Sequence, residues 1–271
     1  MLKQRIITAL ILAPIAIGCV FFLPPVGFAL FVATVLAIAA WEWANLAGYS
    51  GWPRYVYSGA ILLLLALSTR VPDLVVLVAG ACWWLLALVL VVAYPRLGEL
   101  WASRTARTLL GALILVPAFT GLRQLKLQPD SNFLILMLFL LIWGADIGAY
   151  FAGRAFGRRK LAPEVSPGKS WAGLYGGMVS AIVIAAAMLI YGGQLSPVSG
   201  RGLIFLLGCA FVVLVSVLGD LAESMFKRYR GIKDSSNLLP GHGGVLDRVD
   251  SLLSAGPVFC LFILLFGWAQ P

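Results

Sequence analysis

The sequence predicts an all-α, polytopic integral membrane protein of about nine transmembrane helices, with the N-terminus cytoplasmic and the C-terminus periplasmic. Three observations predict it. First, 61% of the 271 residues are hydrophobic and 11% charged, with a mean hydropathy of +0.98, whereas soluble domains run at about 45–50% apolar and about 25% charged. Second, apolar stretches close to the roughly 20 residues needed to span a bilayer recur along the whole chain. Third, with nine alternating spans, 16 of the 20 Lys and Arg residues fall on the side of the N-terminus and 4 (Arg70, Arg123, Lys126, Arg201) on the other. Such an excess marks the cytoplasmic side.

The predicted spans are, in order, 6–23, 26–46, 55–69, 73–93, 108–124, 132–152, 172–191, 202–222 and 250–269. The first opens with Lys3 and Arg5 and carries the small residues Ala16 and Gly18, like a secretory signal. The second follows at once, so the first reads as a retained helix. Only Pro24 and Pro25 separate the two, and a re-entrant hairpin is the alternative there. The third is the shortest and weakest. Glycines at four-residue spacing (Gly144, Gly148, Gly153, Gly157; Gly173, Gly177) predict close helix packing within the monomer, with a homodimer seam as the other use. Trp41, Trp43, Trp52 and Trp101 read as interfacial anchors. Cys19, Cys82, Cys209 and Cys260 are far apart and form no CxxC pair, so they read as small buried side chains.

Two regions differ in chemistry. Residues 1–130 read as scaffold helices, and residues 131–271 as a catalytic region with cytoplasmic loops 153–171 and 223–249. Asp220, Glu223, Asp234, Asp247 and Asp250 are five of the eleven acids in the chain. The net charge of +9 is split among short membrane-flanking loops instead of gathered on one face, which excludes nucleic acid as a partner. A carboxylate at mid-membrane costs about 2.5–3.5 kcal/mol on insertion scales, so Asp146, inside "LIWGADIGAYFAG", and Asp220, ending "FVVLVSVLGD", need a partner or a use.

Continuing the eighth helix through "GDLAESMFKR" puts Asp220, Ser224 and Lys227 at i, i+4 and i+7 on one face, with Glu223 beside them. Asp247 and Asp250 share a face at the start of the ninth. Oxygen donors of this kind suit a hard cation such as Mg²⁺ that keeps positions for substrate phosphates. His242 is the sole histidine and cannot make a zinc cage. Around it, "PGHGG" lets backbone N–H groups approach an anion. With Lys227, Arg228, Lys233 and Arg248 nearby it reads as a polyphosphate cradle, while Arg230 reads as a flanking topology charge. In the other loop, "SPGKS" reads as a helix N-terminus with hydroxyl caps, where Lys169 and Ser170 would meet a phosphate. It is not a Walker A motif, since position 163 is proline. Arg158, Arg159 and Lys160 read as headgroup or topology charges.

The stretch "SMFKRYRGIKDSSNLLPGHGGVLDRVD", residues 224–250, resembles the pattern of the bacterial phosphatidate cytidylyltransferase (CDP-diacylglycerol synthase) family: S-x-apolar-K-R, four residues, K-D, a spacer, then P-x-H-G-G-apolar-x-D-R-apolar-D. "SVLGDLAESMFKR", "GADIGAYFAGRAFGRRKLAP" and "SPGKSWAG" are similar to other blocks of that family, extending the resemblance over roughly 140–260. Ala172 and Ser236 depart from it, standing where polar or acidic residues and glycine are frequent.

The resemblance implies transfer of the cytidylyl group of CTP to phosphatidic acid, giving CDP-diacylglycerol and pyrophosphate. It also implies Mg²⁺, alone or with a second cation, held by Asp220 and Asp247. Asp250 would add a ligand and Ser224 an auxiliary one. Lys227, Arg228, Lys233 and Arg248 would neutralise the triphosphate, with Asp234, His242, Gly243 and Gly244 at the nucleotide phosphates. Lys169 and Ser170 would take the lipid phosphate, and Asp146 and Glu223 would line the cavity or stand behind the ligands. CTP, phosphatidic acid and membrane lipids are the expected partners, and the bacterial cytoplasmic (inner) membrane, with the site facing the cytoplasm, the expected location. Two other classes are disfavoured. The D-G-x-x-A-R … G-x-x-x-D-x-x-x-D pattern of CDP-alcohol phosphatidyltransferases is absent. A secondary transporter would place its acids at the midplane and show a repeat between its halves.

Overall fold

The computed structural model describes residues 2–193 and 195–268, with side chains of residues 2–7 and 9 excepted, so the charges of Lys3 and Arg5 lie outside the described residues. Among the described residues the chain forms nine α-helices: α1 (Leu2–Phe22), α2 (Pro25–Ala47), α3 (Trp52–Ser68), α4 (Asp73–Val92), α5 (Arg104–Leu127), α6 (Ser131–Phe156), α7 (Trp171–Gly192), α8 (Gly200–Tyr229) and α9 (Leu246–Phe266). They fall where the nine apolar stretches predict them. Seven of them, α2 and α4 to α9, are long and apolar enough to cross a membrane. Among the described residues the apolar part of α1 is Leu10–Phe22. At 17 residues, α3 is about 26 Å long, short of a hydrocarbon core of about 30 Å.

Local chemistry sets the helix ends. Pro25 opens α2, where a proline lacks nothing the first turn needs, and Gly48 ends it at φ 97°. Ser103, Ser170 and Ser199 cap α5, α7 and α8, each accepting from the backbone N–H three residues on. Other helix ends borrow a partner from elsewhere. The Lys126 ammonium donates to Val20 O at 2.8 Å and Asn132 to Phe21 O at 3.3 Å, satisfying the last carbonyls of α1. Arg107 donates to Ala47 O at the end of α2. Lys126 and Arg107, counted from sequence as loop charges, are therefore turned inward and buried.

The glycines of α6 and α7 are used within the monomer. A Cβ on Gly148 would stand 2.7 Å from Gly176 O, and one on Gly177 would stand 2.8 Å from Ala145 O, so the two backbones meet directly. The tryptophan expectation is corrected in part. Trp52 is exposed, but Trp43 and Trp101 are buried and pack edge-on against Phe226 of α8 at 4.9 and 4.8 Å. Their rings fill the junction of α2, α8 and the 3-10 turn Gly98–Trp101. The four cysteines are all free; Cys209 and Cys260 are buried as expected, whereas Cys19 is half-buried and Cys82 exposed.

The two polar loops are shorter and more ordered than the sequence implies, because α6 runs on to Phe156, α8 to Tyr229, and α9 starts at Leu246. Between α6 and α7 the chain makes a small antiparallel hairpin, β1 (Lys160–Ala162) with β2 (Ser166–Ser170), an addition to the all-α expectation. Its buried Val165 offers its carbonyl to Arg228 Nε at 3.3 Å, fastening the hairpin to the end of α8.

Candidate active site

The site forms where the last turns of α8 meet the first turns of α9. A Cβ on Gly219 would lie 2.8 Å from the Asp250 carbonyl oxygen and run into Ser254 Oγ, and Ser254 Oγ donates to Val215 O at 2.9 Å. That close crossing sets Asp220 beside Asp250, each within electrostatic reach of the other. The α8 stripe then acts as its spacing predicts. Ser224 Oγ donates to Asp220 Oδ1 at 3.3 Å, and Lys227 Nζ lies 2.7 Å from both Glu223 Oε2 and Asp247 Oδ1. From β2, Lys169 Nζ reaches Asp220 Oδ2 at 2.7 Å. Asp146, exposed on α6, faces Lys169 and Asp220 electrostatically. Five carboxyl groups thus surround two ammonium groups.

An oxygen-only donor set of this kind suits a hard cation. Among the described residues no three His, Cys, Asp or Glu side chains form a ready metal cage. Mg²⁺ does not need one, since it is commonly held by one or two carboxylates with water and substrate phosphates. Asp220 and Asp250 are the pair that fits. Among the described residues Asp250 accepts from the Ser251 N–H next to it, at Oδ1, 2.7 Å.

Asp247, expected as a metal ligand, is bonded to Lys227 and to the loop before α9. Its Oδ1 takes Lys227 and its Oδ2 takes Ser235 N at 2.9 Å, Ser235 Oγ at 3.0 Å and Gly244 N at 2.8 Å. A carboxylate with its lone pairs so engaged holds the loop to α8. Three further expectations change with it. The Gly244 N–H points at Asp247, so it does not face a phosphate. Lys227 is buried between two acids and is not presented to a triphosphate. Ser170 is buried and caps α7 by accepting from Gly173 N at 3.1 Å, leaving Lys169 as the more open member of that pair.

The remaining loop residues ring the mouth of the site. Arg228, Lys233, Asp234 and Arg248 are exposed. Arg248 also clamps the His242 carbonyl with Nε at 3.0 Å and a terminal nitrogen at 2.7 Å, while His242 Nδ1 is buried without a partner. Gly243, at φ 82°, closes a tight turn in which Leu239 N donates to Gly243 O at 2.8 Å. Its glycine is required twice, since a Cβ there would also lie 2.7 Å from Asp247 Oδ2. Arg230, assigned to topology, donates to Asn45 O of α2 at 3.2 Å.

Sequence reasoning missed Glu42. This residue of α2 is fully buried and accepts four hydrogen bonds from residues 235, 236, 245 and 246. The available signal was an acid late in an apolar helix, "AAWEWAN", a position that demands a partner.

Below the hairpin lies an apolar cavity of about 870 Å³ between α4, α7, α8 and α9, with Leu161 and Val165 over it and Trp171 and Leu221 at the end nearest Lys169 and Asp220. Along α8 it runs from Phe211 to Leu221, about 15 Å at 1.5 Å per residue, which is half of a hydrocarbon core of about 30 Å.

A bundle of membrane-length helices, with a carboxylate and lysine cluster where α8 meets α9 and an apolar groove among its helices, defines an integral membrane protein. The chain belongs to the cytidylyltransferase family, whose model matches residues 3–266. It is 53% identical over 274 residues to the phosphatidate cytidylyltransferase of Pseudomonas aeruginosa, covering both chains in full. It is 40% identical to that of Haemophilus influenzae, over 97% of this chain and 98% of the other. With that of Brucella suis it shares 36% over 100% of this chain and 95% of the relative.

Proposed function

We infer that this chain transfers the cytidylyl group of CTP to phosphatidic acid, giving CDP-diacylglycerol and pyrophosphate. Full-length similarity to three phosphatidate cytidylyltransferases supports the reading. The observation that carries it structurally is the meeting of Asp220, Asp250 and Lys169 beside the hairpin whose Leu161 and Val165 line the apolar cavity.

The chemistry needs little from a base. A phosphatidate oxygen, already anionic, forms a bond to the α-phosphorus of CTP. The bond from that phosphorus to the bridging oxygen breaks, and pyrophosphate leaves with the electron pair. What must be supplied is relief of charge repulsion and alignment of the two phosphates. Mg²⁺ on Asp220 and Asp250, with Ser224 behind Asp220, would offset phosphate charge. Lys169, at the hairpin and 25% exposed, exchanges its ion pair with Asp220 for the lipid phosphate. The acyl chains then lie along the cavity, whose depth matches one leaflet. Arg228, Lys233 and Arg248 at the mouth attract the triphosphate, and His242 and Gly243 border it. The charge asymmetry supports a site facing the cytoplasm of the bacterial inner membrane, where CTP is available.

Radiolabelled CTP supplied to detergent-purified protein with phosphatidic acid and Mg²⁺ should yield labelled lipid and release pyrophosphate. Asp220→Asn should lower kcat by about 10²-fold or more, the scale for loss of an electrostatic stabiliser. Label that stays in the aqueous phase with the folded wild-type chain overturns the assignment.

A further inference from the structure

We propose that Glu42, in the part of the chain the sequence marks as scaffold, is a positioning residue for the nucleotide half of the reaction. Helix α9 begins without a cap of its own: Val245 stands at its N-terminus in a helical conformation and offers no side-chain acceptor. The first-turn N–H groups of a helix must find acceptors elsewhere. Glu42 provides them from α2, about 200 residues earlier. Its Oε1 accepts from Val245 N at 3.0 Å and Ser236 Oγ at 2.6 Å, and its Oε2 from Leu246 N at 2.6 Å and Ser235 Oγ at 3.2 Å.

A carboxylate has about four lone-pair sites and no donor, and three donors, Ser236 Oγ, Val245 N and Leu246 N, fill them together with Ser235 Oγ, which Asp247 also draws on. Its negative charge at a helix N-terminus is favourable as well. The residues it fixes are those the reaction depends on. The first turn of α9 carries Asp247 and Asp250. Ser235 Oγ lies 3.2 Å from Glu42 Oε2 and 3.0 Å from Asp247 Oδ2, its one proton serving one of them at a time, so both carboxylates hold the loop 235–246. A Cβ on Gly244 would lie 2.6 Å from Glu42 Oε1, which shows how closely the turn following His242 is drawn onto it. Glutamine at position 42 would turn an amide donor toward two of the four donors, one of them a backbone N–H that cannot accept, and release that side of the loop.

The inference rests on the reading of residues 233–250 as the nucleotide loop, and the experiment separates the two. On full-length purified protein, kcat and KM are measured for CTP and for phosphatidic acid, with thermal unfolding recorded alongside, for wild type, Glu42→Gln and Ser236→Ala. The expected result is a rise of about 10–100-fold in the KM for CTP in Glu42→Gln, the scale for residues that orient a site without touching substrate. A smaller rise is expected in Ser236→Ala, and an unchanged KM for phosphatidic acid in both. If Glu42→Gln does not fold, Ser236→Ala, which removes one donor at a half-buried position, decides by the same split. A kcat that falls only with the folded fraction, both KM values being those of wild type, overturns the proposal. A folded wild-type chain that makes no CTP-dependent lipid product overturns the functional reading instead.

Discussion

Lys227 sits with one ammonium between two acids, Glu223 and Asp247, whose side chains are 4% and 7% exposed. Removing the cation from such a group leaves uncompensated buried charge, the costly way to break a buried pair. Lys227→Met should therefore destabilise the protein by about 3–5 kcal/mol, read as a lowered midpoint in thermal unfolding. Lys233→Met, at an exposed loop position, should stay within about 0.5 kcal/mol of wild type. The contrast is informative because both lysines look alike in the sequence, each a basic residue of one loop motif. Their different depths follow from α8 continuing to Tyr229, which carries Lys227 into the crossing with α9 and leaves Lys233 beyond it.

Helices meet here through small residues, as they must where lipid is as apolar as leucine and close packing is what drives association. The seam between α6 and α7 brings the Gly148 and Gly177 positions against the facing backbone. Gly177→Val places side-chain atoms against the Ala145 carbonyl and should cost about 1–3 kcal/mol, again measured by thermal unfolding. It should also lower activity, because α6 and α7 bound the hairpin that delivers Lys169 to Asp220. Hairpin β1–β2 was not legible beforehand: "KLAPEVSPGKS" is short, rich in proline and charge, and has no clear strand alternation. Its pairing depends on Val165 being covered and on Arg228 fastening it from α8, both of which are long-range contacts.

Over the whole molecule, the charge bias places α8's end, the hairpin and the loop 233–245 on one membrane face. A Lys233→Cys protein in a background lacking the four native cysteines should react with a membrane-impermeant maleimide in inside-out vesicles and stay unlabelled in intact cells. The opposite labelling pattern would reverse the orientation. The division between scaffold and catalytic regions is bridged physically by α2, whose Glu42 and Asn45 both bond the loop, Asn45 Nδ2 donating to Ser235 O at 3.2 Å. Trp43 packs on Phe226 in the same place, so the N-terminal helices brace the floor of the site.

By itself, the sequence determined that this chain is a helical membrane protein, where its helices lie, and that the chemistry gathers around Asp220 to Asp250. Those properties follow from local composition and from fixed spacing along one helix or one loop. Only the tertiary structure decided how the polar groups pair: Asp220 meets Lys169 and lies beside Asp250, whereas Lys227 and the Gly244 N–H both bond Asp247. It likewise decided that an acid at position 42 holds the far end of the chain. The reason is that a polar group in an apolar interior must be satisfied, and the partner that satisfies it is chosen by helix packing, which brings together residues the sequence keeps far apart.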